Sequence, residues 1–157
     1  MRAMRQSAWG EAEVMALVEV EEPAPVFGEV LVEVMAAGVN PVDVFTRRGQ
    51  AYNRVLDLPF INGWDVAGTV VSTGYGTTRF RTGDRVFGMP WFPRAAGCYA
   101  EDVTAPARHF ARMPEGSSFT EAAARPGSER WSACGRAASW SAGRRPGPLG
   151  CTSAQAR

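Results

Sequence analysis

Sixteen valines precede Arg125 in this chain of 157 residues, and none follows it. Valine is stiff at χ1 and suits a pleated, half-buried surface, so its distribution limits where a sheet can form. Residues 125–157 carry six arginines, six alanines, five glycines and five serines against a single leucine, with no apolar period. The sequence therefore predicts a mainly β domain over residues 1–124 and a disordered tail over 125–157. Charge divides at the same place: 11 arginines meet 15 acids before the boundary, while six meet one acid after it. The net charge of +1 averages an acidic domain with a basic tail. The first segment is long enough to bury a core, and a second full domain does not fit behind it.

Within residues 1–124, strands are predicted at Val14 to Val20, Gly28 to Met35, Val66 to Ser72, Arg85 to Met89, Tyr99 to Thr104 and His109 to Met113. In the second of these, Val30, Val32 and Val34 alternate with Leu31, Glu33 and Met35. Short strands punctuated by Gly and Pro point to a compact barrel or sandwich. Asn40-Pro41-Val42-Asp43 has the grammar of a helix start, with Asn at the N-cap, Pro at the first helical position and an acid at the third. Arg47 and Arg48 suit its last turn, and Gly49 supplies the stop. Ser118-Phe119-Thr120-Glu121 is a second capping box, leading into Ala122 to Ala124 and broken by Arg125-Pro126-Gly127.

Several function classes recede on composition. No charged-then-apolar leader opens the sequence and no apolar run approaches the roughly 18 residues of a membrane span, which predicts a soluble, cytoplasmic protein. Cys98, Cys134 and Cys151 are odd in number and lack C-x-x-C spacing, against a disulfide framework or a zinc knot. The tail's arginines are scattered without lysine or an aromatic ladder, so nucleic-acid binding is not expected. Self-association stays open.

Gly38-Val39-Asn40-Pro41-Val42-Asp43, then Gly63-Trp64-Asp65-Val66-Ala67-Gly68-Thr69-Val70, Gly83-Asp84-Arg85-Val86-Phe87 and Gly97-Cys98-Tyr99-Ala100-Glu101 follow in order. Together they resemble the N-terminal GroES-like domain of the medium-chain dehydrogenase/reductase superfamily, on its zinc-free NADPH:quinone oxidoreductase (zeta-crystallin-like) side. The resemblance covers residues 1–124 and implies a GroES-like barrel. It implies hydride transfer from NADPH to a small quinone or enone. The Rossmann domain that binds the nucleotide in such enzymes has no counterpart here, because Gly74-Tyr75-Gly76 is followed by Thr77-Thr78-Arg79 and completes no G-x-G-x-x-G. This chain is therefore expected to be inactive alone. The alternative is a non-enzymatic GroES-like barrel serving as a binding or assembly module.

Zinc relatives in that superfamily place cysteine where Asn40 stands and a His-Glu pair where Trp64-Asp65 stands. Neither an amide nor an indole is a normal zinc ligand, so no metal is expected. A zinc-free site must polarise the acceptor carbonyl with hydrogen bonds instead. The resemblance puts Asn40 beside the nicotinamide, although its side chain is equally wanted as an N-cap. Asp43 is implied at the cofactor side, and helix capping also accounts for it. Tyr52 matches a tyrosine near the substrate cleft, where a phenol donates a hydrogen bond or proton. Trp64 is expected to pack and to wall the pocket, with Trp91 and Phe92 lining its mouth. Asp65 is expected to anchor a turn or pair with an arginine, His109 to be structural, and Cys98 to be a small core side chain.

The tail also admits another origin. The codons of Arg145-Pro146-Gly147-Pro148, read from the second base, are compatible with Val-Leu-Val-His, so residues 125–157 are expected to derive from a shifted reading frame.

Overall fold

A computed structural model describes residues 1–124. The tail expectations, disorder and a shifted frame, lie outside the described residues.

Eight strands and two short helices follow one another as β1 (Arg2–Gln6), β2 (Met15–Glu19), β3 (Glu29–Ala37), α1 (Pro41–Arg47), β4 (Phe60–Ile61), β5 (Val66–Thr73), β6 (Arg85–Gly88), β7 (Asp102–Pro106), β8 (Phe110–Arg112) and α2 (Phe119–Ala123). Every pairing is antiparallel. The strands form a three-stranded sheet in the order β2-β1-β4 and a five-stranded sheet in the order β7-β3-β5-β6-β8. A bridge between Ala3 and Ala100 ties the sheets together. The result is the mainly β, partly closed barrel with short helices that the sequence predicts.

The valine pattern makes the interior. Val30, Val32, Val66, Val70, Val86 and Val103 meet Phe80, Cys98 and Phe110 in one cluster. Six β-branched side chains from four strands interlock with little rotamer freedom to lose. Cys98 is fully buried there, as a small core residue should be. On β3 the alternation is interrupted. Register shifts fall between Leu31 and Val32 and between Val34 and Ala36, so Leu31 is buried beside its neighbours and Met35 is turned outward.

Both helix starts form as expected. The Asp43 carboxylate accepts from the Asn40 N–H at 2.7 Å, and Gly49 follows the helix at φ +75°. Ser118 Oγ accepts from the Glu121 N–H, whose carboxylate accepts in turn from the Ser118 N–H. Five residues are too few for a stable isolated helix. α2 persists because Ala122 and Ala123 are buried with Ala67 and Met113, against Ala36 and Phe87.

Strand boundaries differ from expectation in a few places. β7 starts at Asp102, because the Tyr99 carbonyl accepts from Met4 N–H and draws Tyr99 to Glu101 towards the smaller sheet. β8 starts at Phe110, since His109 belongs to a 3-10 turn, Ala107–His109. β1 and the two-residue β4 are additional to the predicted strands.

Candidate functional site

The entrances to α1 and β5 meet. Gly38 N–H donates to the Asp65 carbonyl at 2.9 Å. A Cβ on Gly38 would stand 2.9 Å from both the Asp65 Cβ and the Ala123 carbonyl, so only glycine permits this approach. The contact places Asn40, one residue beyond Val39, against Asp65. Asn40 Nδ2 donates to Asp65 Oδ2 at 2.7 Å. The Asn40 side chain thus serves two partners, its oxygen the Asp43 N–H in the capping box and its amide N–H the distant Asp65. Asp65 pairs with this amide and not with an arginine, contrary to expectation.

Two buried carboxylates therefore flank Asn40, one on its backbone N–H and one on its side chain. Asp43 is 3% exposed and Asp65 1%. Each keeps one oxygen, Oδ1, buried without a partner among the described residues. Burial raises both acids. The Asn40 N–H and the Tyr99 phenol pull Asp43 partly back, while the charge of Asp43 pushes Asp65 further up.

Tyr99 closes the polar corner from the other side. Its ring covers Gly63, where φ is +89° and a Cβ would fall 2.4 Å from the ring. Its hydroxyl lies 3.4 Å from the Gly38 carbonyl and also reaches Asp43. One phenolic hydrogen serves one acceptor at a time, and the charged carboxylate is the stronger of the two. Burial, then the Asp43 charge, pushes the phenol far above its usual range, so it stays a donor. Asn62 fixes the underside, donating to the Asp43 carbonyl at 3.0 Å and accepting from Gly63 N–H at 2.9 Å.

An aromatic layer begins one residue before Asp65. Trp64 is 2% exposed, and its indole donates to the Arg94 carbonyl at 2.7 Å. Tyr52 and Phe92 meet it edge-on, with centroids 6.0 and 5.4 Å away, and meet each other at 5.1 Å. Tyr52 sits at φ +51°, a costly backbone conformation for a ring-bearing residue that its turn holds through Val55 and Leu56 N–H donors. Trp91 goes elsewhere. At φ +58° it packs on the valine core, donates its indole N–H to the Thr104 carbonyl at 3.0 Å and stands edge-on to His109. His109 Nδ1 accepts from the Trp91 N–H at 3.2 Å, which makes the histidine structural. Burial, then Arg108, lowers its basicity.

Of the residues singled out from sequence, the structure unites Asn40 with Asp43, and Tyr52 with Trp64 and Phe92; it sets Trp91 apart. Sequence reasoning missed Tyr99 and Asn62, which belong to the polar corner. The Gly97 to Glu101 motif pointed to that stretch without assigning Tyr99 a role. Among the described residues no three His, Cys, Asp or Glu side chains gather as a metal-holding group.

The alcohol dehydrogenase GroES-like domain family matches residues 27–115. The chain is 41% identical over 125 residues to the quinone oxidoreductase of Rattus norvegicus, covering 79% of this chain and 37% of the rat protein. The quinone oxidoreductase of Coxiella burnetii superposes with a TM-score of 0.75 at 32% identity, over 80% of this chain and 41% of the other. The Escherichia coli quinone oxidoreductase, solved in complex with NADPH, superposes with a TM-score of 0.73 at 30% identity, over 80% and 37%. The chain thus spans about two fifths of the length of the proteins it resembles.

Proposed function

Because the chain belongs to the alcohol dehydrogenase GroES-like domain family, whose match spans residues 27–115, we propose that it is the substrate-side portion of a zinc-independent, cytoplasmic quinone or enone oxidoreductase. The observation that carries this reading is that Trp64 and Asp65, consecutive residues, join an aromatic layer to the carboxylate that holds Asn40. A flat acceptor needs both: rings to lie against and a fixed polar group at its edge.

NADPH fits the described residues in part. The polar corner beside the aromatic layer suits a planar, uncharged carboxamide ring. Its diphosphate finds no cradle, since the start of α1 is already occupied by the Asp43 carboxylate and Gly76 lies under the Phe27 ring. When bound, NADPH supplies the hydride. Asn40, with one N–H committed to Asp65 and its side-chain oxygen facing the Asp43 N–H in the capping box, offers its second N–H to a ligand. Tyr52 donates a hydrogen bond to the oxygen where negative charge develops. Phe92 and Trp64 exclude water and so strengthen those bonds. Zinc independence is supported by Asn40 and Trp64 themselves, whose polar groups are engaged by Asp65 and the Arg94 carbonyl.

The test is a titration of the purified chain with a fully substituted quinone, which cannot add to thiols. Binding should shift the ring signals of Tyr52, Trp64 and Phe92 in an NMR spectrum, with no NADPH oxidation by the chain alone. Shifts elsewhere only, or none, would overturn the site. Saturable NADPH oxidation by a homogeneous sample would overturn the partial-enzyme reading.

A further inference from the structure

Four strands stand at the edges of the two sheets, and three of them are poor templates for another chain. β4 has two residues, β8 has three, and β7 closes on Pro106, which has no N–H to give. β2 is different. Its five residues, Met15 to Glu19, include neither proline nor a cation, and Leu17 at its centre is 63% exposed. Such an edge is a row of unmet hydrogen-bonding groups.

The direction of those groups follows from the β1–β2 ladder. The Met1 amine donates to the Val20 carbonyl and the Val20 N–H to the Met1 carbonyl, both at 2.9 Å, and Ser7 N–H donates to the Val14 carbonyl. In antiparallel strands such bonded pairs recur at every second residue, so Val18 and Ala16 turn their N–H and C=O groups to Ala3 and Arg5. Leu17 and Glu19 turn theirs outward, and among the described residues no hydrogen bond meets them. The same edge is acidic. Glu13, Glu19, Glu21 and Glu22 are exposed, and among the described residues no ion pair involves any of them. Arg2 stands opposite Glu19 but its guanidinium is held by Glu101, and Arg5, opposite Ala16, belongs to the other face of the sheet.

We propose that β2 is a strand-addition site for a basic, extended segment of a partner protein. The segment pairs antiparallel with β2, takes up the free N–H and C=O groups of Leu17 and Glu19, and sets an apolar side chain beside Leu17 and a cation against Glu19. Backbone bonds supply the hold, and the carboxylates at both ends of β2 select the partner by charge. Pairing of β2 with the β2 of a second copy would bring two acidic sets together with no free cation between them, which disfavours self-association through this edge.

Amide hydrogen exchange on the full chain tests this with a peptide probe, Arg-Thr-Arg-Thr-Val-Thr-Val-Thr-Arg, acetylated and amidated, whose first valine faces Leu17 and second arginine faces Glu19 in the antiparallel register. At saturation the Leu17 and Glu19 amides should exchange at least about tenfold more slowly, while those of Ala16 and Val18, already bonded to β1, and those of β8 should change little. The same peptide N-methylated at the residues facing Leu17 and Glu19 keeps its charge, loses its donors and should give no protection. Changing Glu13, Glu19, Glu21 and Glu22 together to glutamine should weaken binding about tenfold in low salt. Leu17→Pro removes an outward N–H without touching a bond to β1, and should abolish protection at Glu19. Binding that protects neither amide, or that survives N-methylation of the peptide, would overturn the proposal in favour of charge attraction alone. Binding unchanged in the glutamine chain would overturn the choice of a basic partner. Protection of Leu17 and Glu19 without any peptide, from a second copy or from within the chain, would show the edge already occupied and overturn it too.

Discussion

The valine interior and the polar corner at Asn40 are built from opposite logic. In the interior every side chain is apolar, many neighbours share each contact, and four strands contribute. In the corner each polar group depends on one or two partners: Asp65 has Asn40, and Asn40 has Asp65. Two buried acids stand there, each with an unpartnered oxygen, and among the described residues no ion pair involves either. A fold can lose a little packing anywhere in the first region. In the second, removing one group strands another in a medium where an unmet hydrogen bond is costly. A place kept under-satisfied is where a ligand's polar edge has most to gain.

That contrast can be tested by substitution, and the largest effect should come from the interior. Phe110→Ala empties the centre of the valine cluster and should cost about 3–5 kcal/mol, read as a lower denaturant midpoint at unchanged slope. A loss below about 1 kcal/mol would mean that the interior collapses around the gap. Asn40→Ala removes far less volume yet strands Asp65, and should cost about 1–3 kcal/mol at neutral pH. If its cost matches that of an exposed alanine substitution, the corner is wetter than its burial implies.

Acidity separates the regions further. Burial raises Asp65 in the folded state, so folding favours its protonated form. Below the unfolded carboxyl value of about 4 both states are protonated and no penalty exists; as pH rises through the higher folded value, the folded state is penalised. Asp65→Asn removes this term. Its stability relative to the native chain should therefore increase as pH rises above about 4, whereas that of Phe110→Ala should stay flat. A flat difference for Asp65→Asn would show that the acid titrates normally. The smallest effect belongs to the rim: Arg85→Ala loses a guanidinium 4.5 Å over the Phe119 ring and should cost about 0.5–1 kcal/mol, at any such pH.

How legible each region is depends on the reach of its interactions. Val30, Val32 and Val34 announce a strand because side-chain alternation is local, and Asn40-Pro41-Val42-Asp43 announces a helix because its capping partners lie three residues apart. Asn40 and Asp65 are 25 residues apart and meet only through a glycine approach. Nothing in either stretch announces that pairing, so a turn or an arginine is the natural expectation for Asp65. Trp91 and Phe92 read as one lining because they are adjacent. A left-handed turn at Trp91 sends the two rings into different clusters. β1 escapes notice because Arg2-Ala3-Met4-Arg5-Gln6 has weak strand propensity, and its place depends on pairing with both β2 and β4.

The thiol of Cys98 makes the barrel its own timekeeper. A quinone acceptor of the kind proposed is an electrophile that adds to thiolates, and this sulfur is sealed within the valine cluster, with burial and then the charges of Asp65 and Asp43 holding its proton in place. Cys98 should therefore be modified only through openings of the barrel. At reagent concentrations where alkylation outpaces reclosing, its half-life becomes a count of openings.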